Sequence, residues 1–184
     1  MNLEKPLTNH IKQLSTNALD FIYKSGAMGI FKKGTKEPIF AKFLECDIQE
    51  LLTSKSLHQY DQTYDQIVKN LHQSLFPLYM DNLKIQKNNP YSYTARLLNQ
   101  YIKLIFQNLS QYNLSDQTVE IMNVIHPIIS NKFIEQYLPN IKSIAEIDGH
   151  EMYYELVENY NNLVEEEHEV INKQLLCMLQ GIDV

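Results

Sequence analysis

Residues Ser92–Leu109 decide the fold, and they read SYTARLLNQYIKLIFQNL. Apolar side chains recur every three or four positions along them, which is the period of one face of an α-helix. A second apolar set lies on the opposite side, so this predicted helix is apolar on both sides and belongs at the centre of its fold. The larger set is Ala95, Leu98, Ile102, Ile105, Phe106 and Leu109, and the opposite set is Tyr93, Leu97 and Leu104.

The rest of the chain supplies helices to surround this one. Only five Gly and six Pro occur among 184 residues, too few for the many tight turns of an all-β sandwich. One helix is predicted over Thr8–Tyr23, and a second begins at Pro38 and continues through Leu52. Ser56 with Gln59 forms a capping box that starts a third helix, which Pro77 ends. We therefore predict one all-α domain over residues 1–184, a helical bundle of about five to seven helices. In chain order, the apolar stripes of these three predicted helices are Ile11, Leu14, Ala18, Phe21 and Ile22; Phe40, Phe43, Leu44, Ile48, Leu51 and Leu52; and Leu57, Tyr60, Tyr64, Ile67, Leu71 and Leu75.

Negative charge is concentrated near the end of the chain. The net charge is −6, from 16 Lys and Arg against 22 Asp and Glu. Residues 143–184 contain ten acids and one base (−9), so residues 1–142 contain the other twelve acids and fifteen bases (+3). This asymmetry is the most unusual property of the sequence, and it points to an interaction between charged surfaces.

A long, acidic, amphipathic C-terminal helix is predicted over about residues 148–180. At 100° per residue, its glutamates fall on one narrow stripe, while apolar residues cover the opposite face. We interpret the stripe as a candidate partner-binding surface, and the alternative is a solvated outer face whose repulsion is outweighed by burial of the other side. The stripe consists of Glu151, Glu155, Glu158, Glu165 and Glu169.

One candidate metal site lies in the same helix. Glu165 and His168 have the ExxH spacing found in di-iron bundles, and Glu167 falls on the apolar face. Such a centre needs two ExxH segments and two more inward glutamates, and the sequence contains one such segment. A carboxylate at Glu167 must pair, bind a cation, become protonated or reach an exposed edge. The alternative to a metal site is a solvated charged turn. We expect no cofactor.

A basic segment follows the first predicted helix. The Gly-containing loop 24–37 and the residues up to 42 carry five lysines, among them Lys32 and Lys33, beside Phe31. Basic charge with an aromatic side chain is typical of nucleic-acid contacts. We nevertheless do not expect a nucleic acid as the partner, because one local patch on a chain of net charge −6 provides few phosphate contacts.

Arg96 is the only arginine, and it lies on the most apolar helix. A guanidinium suits a carboxylate or phosphate, so Arg96 and Lys103 are candidate anion-binding residues, as are Lys32 and Lys33. The alternatives are a solvated strip or an ion pair with the acidic helix. The polar strip along this side is Arg96, Asn99, Gln100, Lys103 and Gln107.

Recognisable catalytic motifs are absent from the sequence. The five glycines form no phosphate-binding or nucleophile-elbow pattern, and Cys46 and Cys177 form no CxxC pair. No membrane span or secretory signal is apparent, so we expect a cytoplasmic protein. The preferred hypothesis is a non-enzymatic interaction or regulatory domain that binds another protein or a second copy of itself through the acidic helix. The alternatives are a helical-bundle enzyme or metal protein using Glu165, Glu167 and His168, and a nucleic-acid-binding protein using residues 24–42.

Overall fold

A computed structural model describes residues 5–46, 48–52, 54, 56–80, 91–109, 126–129, 133–135, 140, 147 and 149–166. Within these ranges the protein is all-α, as predicted, and no strand occurs. The six helices are α1 (Lys5–Lys24), α2 (Lys36–Leu44), α3 (Ile48–Leu52), α4 (Leu57–Leu75), α5 (Tyr91–Leu109) and α6 (Gly149–Glu166).

Helix α5 lies at the centre, as its two apolar sides predicted. It packs against α1, α4 and α6, so three different neighbours cover most of its circumference. The buried residues of α5 include members of both predicted sets, while Tyr93 and Leu104 of the opposite set are only partly buried. The buried apolar residues are Ala95, Leu97, Leu98, Tyr101, Ile102, Ile105 and Phe106.

Helix α1 packs along α5 through most of its predicted stripe. Ile11, Leu14, Ala18 and Ile22 are buried, but Phe21 was wrongly assigned to the core and is 62% exposed. Phe21 stands at the edge of the helical stripe, where a small rotation of α1 moves a side chain from core to surface.

The second predicted helix is in fact two helices. Helix α2 begins at Lys36 rather than Pro38 and ends at Leu44, and α3 begins at Ile48. A tight turn separates them, in which the Cys46 N–H donates to the Phe43 carbonyl oxygen and the Ile48 N–H to the Cys46 carbonyl oxygen. This change of direction buries Ile48 and Leu51 and brings α3 against α4, whereas Leu44 is left partly exposed.

Helix α4 begins and ends where the sequence predicted. The Ser56 hydroxyl oxygen accepts the Gln59 N–H at 3.2 Å, which satisfies one of the unpaired donors at the helix start. Pro77 lies in the 3₁₀ turn Phe76–Leu78 that follows α4, because proline cannot continue an α-helix.

The Gly-containing loop between α1 and α2 is anchored to the core. Phe31 and Tyr79 form an isolated antiparallel bridge and stack with ring centroids 4.6 Å apart. Met28 and Phe31 are both buried. Gly26 and Gly34 have φ of +82° and +80°, a backbone conformation that glycine adopts without strain. The loop is therefore an ordered part of the bundle between two helices.

Candidate binding surfaces

Helix α6 is strongly two-sided. Tyr153, Leu156, Val157 and Tyr160 are buried, and α6 packs against α5 through this side. Burial of each large side chain contributes roughly 1.5–3 kcal/mol. The helix start at Gly149 agrees with the predicted start near residue 148, and its predicted continuation to residue 180 lies outside the described residues.

A closed ring of hydrogen bonds locks α6 to α4 and α5. The Tyr64 hydroxyl donates to Asn99 Oδ1 at 2.7 Å, Asn99 Nδ2 donates to the Tyr153 hydroxyl oxygen at 2.8 Å, and the two tyrosine hydroxyls are 3.2 Å apart. Asn99 Nδ2 also donates to the Pro127 carbonyl oxygen at 2.9 Å. Burial raises the pKa of Tyr153 to about 12, so its hydroxyl remains neutral and can donate to Tyr64.

The position of Asn99 corrects the polar strip predicted on α5. Asn99 is buried in this ring, whereas Arg96, Gln100 and Lys103 line a surface groove. Asn99 is three positions after Arg96, which places it about 60° from Arg96 around the helix at 100° per residue. That rotation is enough to place its amide against α4 and α6.

His126 stands inside a group of aromatic rings beside this network. Its Nε2 is 3.1 Å from Asp61 Oδ1 on α4, and its ring centroid is 4.1 Å from that of Tyr64. The side chain is 5% exposed while that of Asp61 is 35% exposed. Tyr60, Tyr153 and Tyr154 complete the ring contacts. His126 is thus a hydrogen-bonded structural residue.

The described part of the glutamate stripe forms an acidic surface. Glu151, Glu155 and Glu158 are exposed, and within the described ranges none of the three makes an ion pair. Because their spacings are three and four residues, their carboxylates are neighbours on one side of α6.

Helix α4 adds carboxylates to this surface. Burial raises the pKa of Tyr154, and the nearby carboxylates of Asp61 and Asp65 raise it further. Tyr154 lies on α6 between Glu151 and Glu158, and its ring centroid is 5.3 Å from that of His126, whose Nε2 is 3.1 Å from Asp61 Oδ1. Asp61 and Tyr154 therefore share His126 as a neighbour. Lys69 pairs with Asp65 at 2.6 Å, and Asp61 is left as the α4 carboxylate without a lysine partner. We call Asp61, Glu151, Glu155 and Glu158 the acidic face.

Four further candidate residues belong to the predicted C-terminal helix. Glu165 lies within α6, and Glu167, His168 and Glu169 lie outside the described residues. Over the part of the chain that the structure describes, no group of three or more His, Cys, Asp or Glu side chains is arranged to hold a metal ion. The metal hypothesis therefore stays a prediction.

A groove of about 480 Å³ lies where α1 meets α5. Arg96 and Lys103, predicted as anion-binding residues, both line it, with Gln100 and Gln107. Within the described ranges Arg96 makes no hydrogen bond or ion pair, so the predicted alternative of an ion pair with the acidic helix is not formed there. We call this groove the Arg96 groove.

The basic segment 24–42 is partly neutralised by its own surroundings. Lys36 Nζ is 2.8 Å from Asp20 Oδ1 and stands 5.0 Å from the ring centroids of both Tyr23 and Phe40. Lys42 Nζ is 2.9 Å from Glu45 Oε2. Lys32 and Lys33 are exposed, and they lie in the loop rather than in the Arg96 groove. The four predicted anion-binding residues therefore divide between two places.

A second groove of about 530 Å³ lies between α4 and the α2–α3 turn. It contains Lys42, Glu45 and Glu50 among amide and hydroxyl side chains. Its lysine is already paired with Glu45, and with Glu50 the described lining carries one more acid than base.

No protein-family model, no curated protein and no solved structure matches this chain. Geometry and charge are therefore the guides to what its surfaces bind. Among the described helices, none is long and apolar enough to cross a lipid bilayer.

Proposed function

We propose that this protein is a protein-interaction domain whose acidic face binds a basic surface of another protein. The observation that carries the proposal is the row of exposed carboxylates at Glu151, Glu155 and Glu158, which has no cation paired to it within the described residues. Asp61 extends this row onto α4, because Asp61 and Tyr154 share His126 as a neighbour. A surface two helices wide is better suited to a folded partner than a single row of charges would be.

Repulsion among the carboxylates of the acidic face favours binding of a basic partner. Like charges three or four residues apart destabilise a helix by roughly 0.2–0.5 kcal/mol per pair, so α6 carries a small repulsion that cations of a partner would relieve. Exposed ion pairs contribute little affinity each, but a surface of one sign raises the association rate and selects partners of opposite charge.

The rigid attachment of α6 supports the same proposal. Tyr153 is held by Tyr64 and Asn99, directly beside Tyr154 on the acidic side. A surface held in place by a buried network loses little conformational entropy when a partner docks. Less of the binding free energy is then spent on ordering α6 when a partner binds.

The test compares two charge-matched variants of the full chain. E151Q/E155Q/E158Q removes three charges from the acidic face, and E37Q/E45Q/E50Q removes three exposed glutamate charges from α2, α3 and the turn between them. Proteins of the native host are captured on each variant at several salt concentrations, and any captured protein is then purified and its affinity measured directly. We expect capture by the wild type and the control, with at least about tenfold weaker binding to the acidic-face variant.

Two results would refute the proposal. One is equal affinity of a purified partner for both variants, and the other is a wild-type chain that captures nothing at physiological salt. Sedimentation analysis of the same three proteins separates a second copy from a different partner. If the wild type and the control self-associate and E151Q/E155Q/E158Q does not, the acidic face binds a second copy of this chain instead of another protein.

A further inference from the structure

The Arg96 groove has the charge of a site for an anion. Two cations line it, Arg96 and Lys103, and no Asp or Glu is among its described lining residues. It uses none of the residues of the acidic face, so what it binds is independent of the proposed function. The described wall of the groove therefore carries positive charge.

Arg96 is the stronger reason to expect a ligand. It is the only arginine of the chain, it is half-buried, and it makes no hydrogen bond or ion pair within the described residues. A guanidinium offers five N–H donors in a planar fork that matches a carboxylate in two places. A partly desolvated fork without an acceptor is a site prepared for one.

Gln100 adds a requirement for a donor. Its Oε1 is buried and accepts no hydrogen bond within the described part of the chain, and it lies one helical turn from Arg96. A buried acceptor without a donor is unfavourable, so a ligand that donates an N–H or O–H to Oε1 while its anionic group meets Arg96 satisfies both residues at once.

The remaining wall of the groove is apolar. Phe21 is 62% exposed and lines the groove with Ile22, Leu104 and Ile128. A large aromatic ring left in water beside a concave surface marks a place where an apolar group can dock. The volume of about 480 Å³ is in the range of sites for small organic ligands.

We propose that the Arg96 groove binds a carboxylate that carries a neutral N–H or O–H donor beside it and an apolar group beyond it. An N-acylated apolar amino acid has this chemistry: its carboxylate meets Arg96, its amide N–H meets Gln100 Oε1, and its side chain covers Phe21. A free amino acid fits less well, because its ammonium group would face two cations with no carboxylate in the groove wall to balance it.

The experiment titrates the full chain with N-acetyl-L-phenylalanine, followed by calorimetry and by ¹⁵N NMR. We expect saturable binding that shifts the amide signals of α1 and α5 along the groove. R96Q should weaken binding by at least about tenfold, equivalent to about 1.4 kcal/mol. R96K should weaken it by less, because lysine keeps the charge without the planar fork. K12Q, which removes one exposed positive charge from α1 outside the groove, should bind like the wild type.

The ligand series tests each part of the chemistry. N-acetyl-L-phenylalaninamide lacks the carboxylate, L-phenylalanine carries an ammonium group, and 3-phenylpropionate lacks the donor, so each should bind more weakly. Q100L should abolish the preference for N-acetyl-L-phenylalanine over 3-phenylpropionate. Equal binding to R96Q and K12Q, equal binding of the amide, or equally tight binding of inorganic phosphate alone would overturn the proposal.

The carboxylate could belong to a small acid or to the C-terminus of a protein chain, and a peptide distinguishes these two sources. If a pentapeptide with a free C-terminal phenylalanine binds as tightly as N-acetyl-L-phenylalanine, the groove accepts the C-terminus of a protein chain. If only the small acid binds, the groove is a small-molecule site. Thermal melts of R96Q and R96K establish that any loss of binding occurs in folded protein.

Discussion

The change Asn99→Ala tests whether the buried hydrogen-bond ring holds α6 to the rest of the fold. Asn99 is 1% exposed and connects three elements, through Tyr64 on α4, Tyr153 on α6 and the Pro127 carbonyl oxygen. Alanine removes its amide and leaves the helical backbone of α5 intact. The effect on stability therefore reports on the ring itself.

The expected magnitude follows from the bonds that are lost. Three hydrogen bonds at about 1 kcal/mol each amount to about 3 kcal/mol. The better helix propensity of alanine returns roughly 0.5 kcal/mol, while the desolvated Pro127 carbonyl oxygen left without this donor costs about 1 kcal/mol or more. Tyr64 and Tyr153 remain within reach of each other at 3.2 Å, which limits the further loss. We expect the free energy of unfolding to fall by about 3–4 kcal/mol.

Asn108→Ala is the matched control. Asn108 is on the same helix, and its Nδ2 donates to the Leu104 carbonyl oxygen within that helix. The propensity gain is the same but no tertiary bond is broken, so the change should stay within about 0.5 kcal/mol. Urea unfolding is followed by circular dichroism, because the chain has no tryptophan, and both variants should keep the wild-type m-value. A difference between the two variants of less than about 1 kcal/mol would refute the role of the ring.

Two further predictions concern ionisable groups. The hydrogen bond from Lys36 and its positive charge lower the pKa of Asp20 below the usual 3.8, so this pair stabilises the fold above that range and its contribution disappears as the pH falls through the lowered pKa. A ¹³C-carboxyl titration should show this, K36Q should return the pKa towards 3.8, and an Asp20 that titrates identically in both proteins would contradict the ion pair. Burial raises the pKa of Cys46 to about 12, so at pH 8 its thiol should react with a disulfide reagent at least about a hundredfold more slowly than glutathione does. The measurement uses a Cys177→Ser background, with urea-unfolded protein as the control, and reaction of the native Cys46 at the glutathione rate would contradict the burial.

Local signals in the sequence were sufficient to predict the helices that have a long apolar stripe. The period of residues 92–109 predicted α5 and its central place, because a helix that is apolar all round has only the interior available to it. Ser56 and Gln59 predicted the start of α4, since an N-cap is a contact between residues three apart. Pro77 predicted its end for the same local reason.

The break between α2 and α3 carried no such signal. No glycine or proline lies between Leu44 and Ile48, and the apolar spacing continues through the turn. The chain bends because Ile48 and Leu51 reach the core against α4 only after the change of direction. A packing contact of this kind involves residues that are distant in sequence, so no window of local periodicity contains it.

For the candidate sites too, local spacing predicted which residues lie together, whereas contacts between helices determine which charges are neutralised. The sequence placed Glu151, Glu155 and Glu158 on one stripe, and the structure has them exposed. It also grouped Arg96 with Gln100 and Lys103, which do share a groove. What it could not supply is which of these charges are already neutralised, because a partner such as Asp20 for Lys36 comes from another helix.

By itself, then, the sequence determined the helical class, the central helix and the segregation of charge, since each depends on residue types at fixed local spacing. Only the tertiary structure decided that Asn99 turns inward to join Tyr64 and Tyr153, that Asp61 and Tyr154 share His126 as a neighbour, and that Arg96 lies in a groove with no acid among its described lining residues. These outcomes depend on how helices rotate and cross as they pack. A difference of about 100° around α5 separates Asn99, whose amide joins the buried ring, from Gln100, which lines the groove.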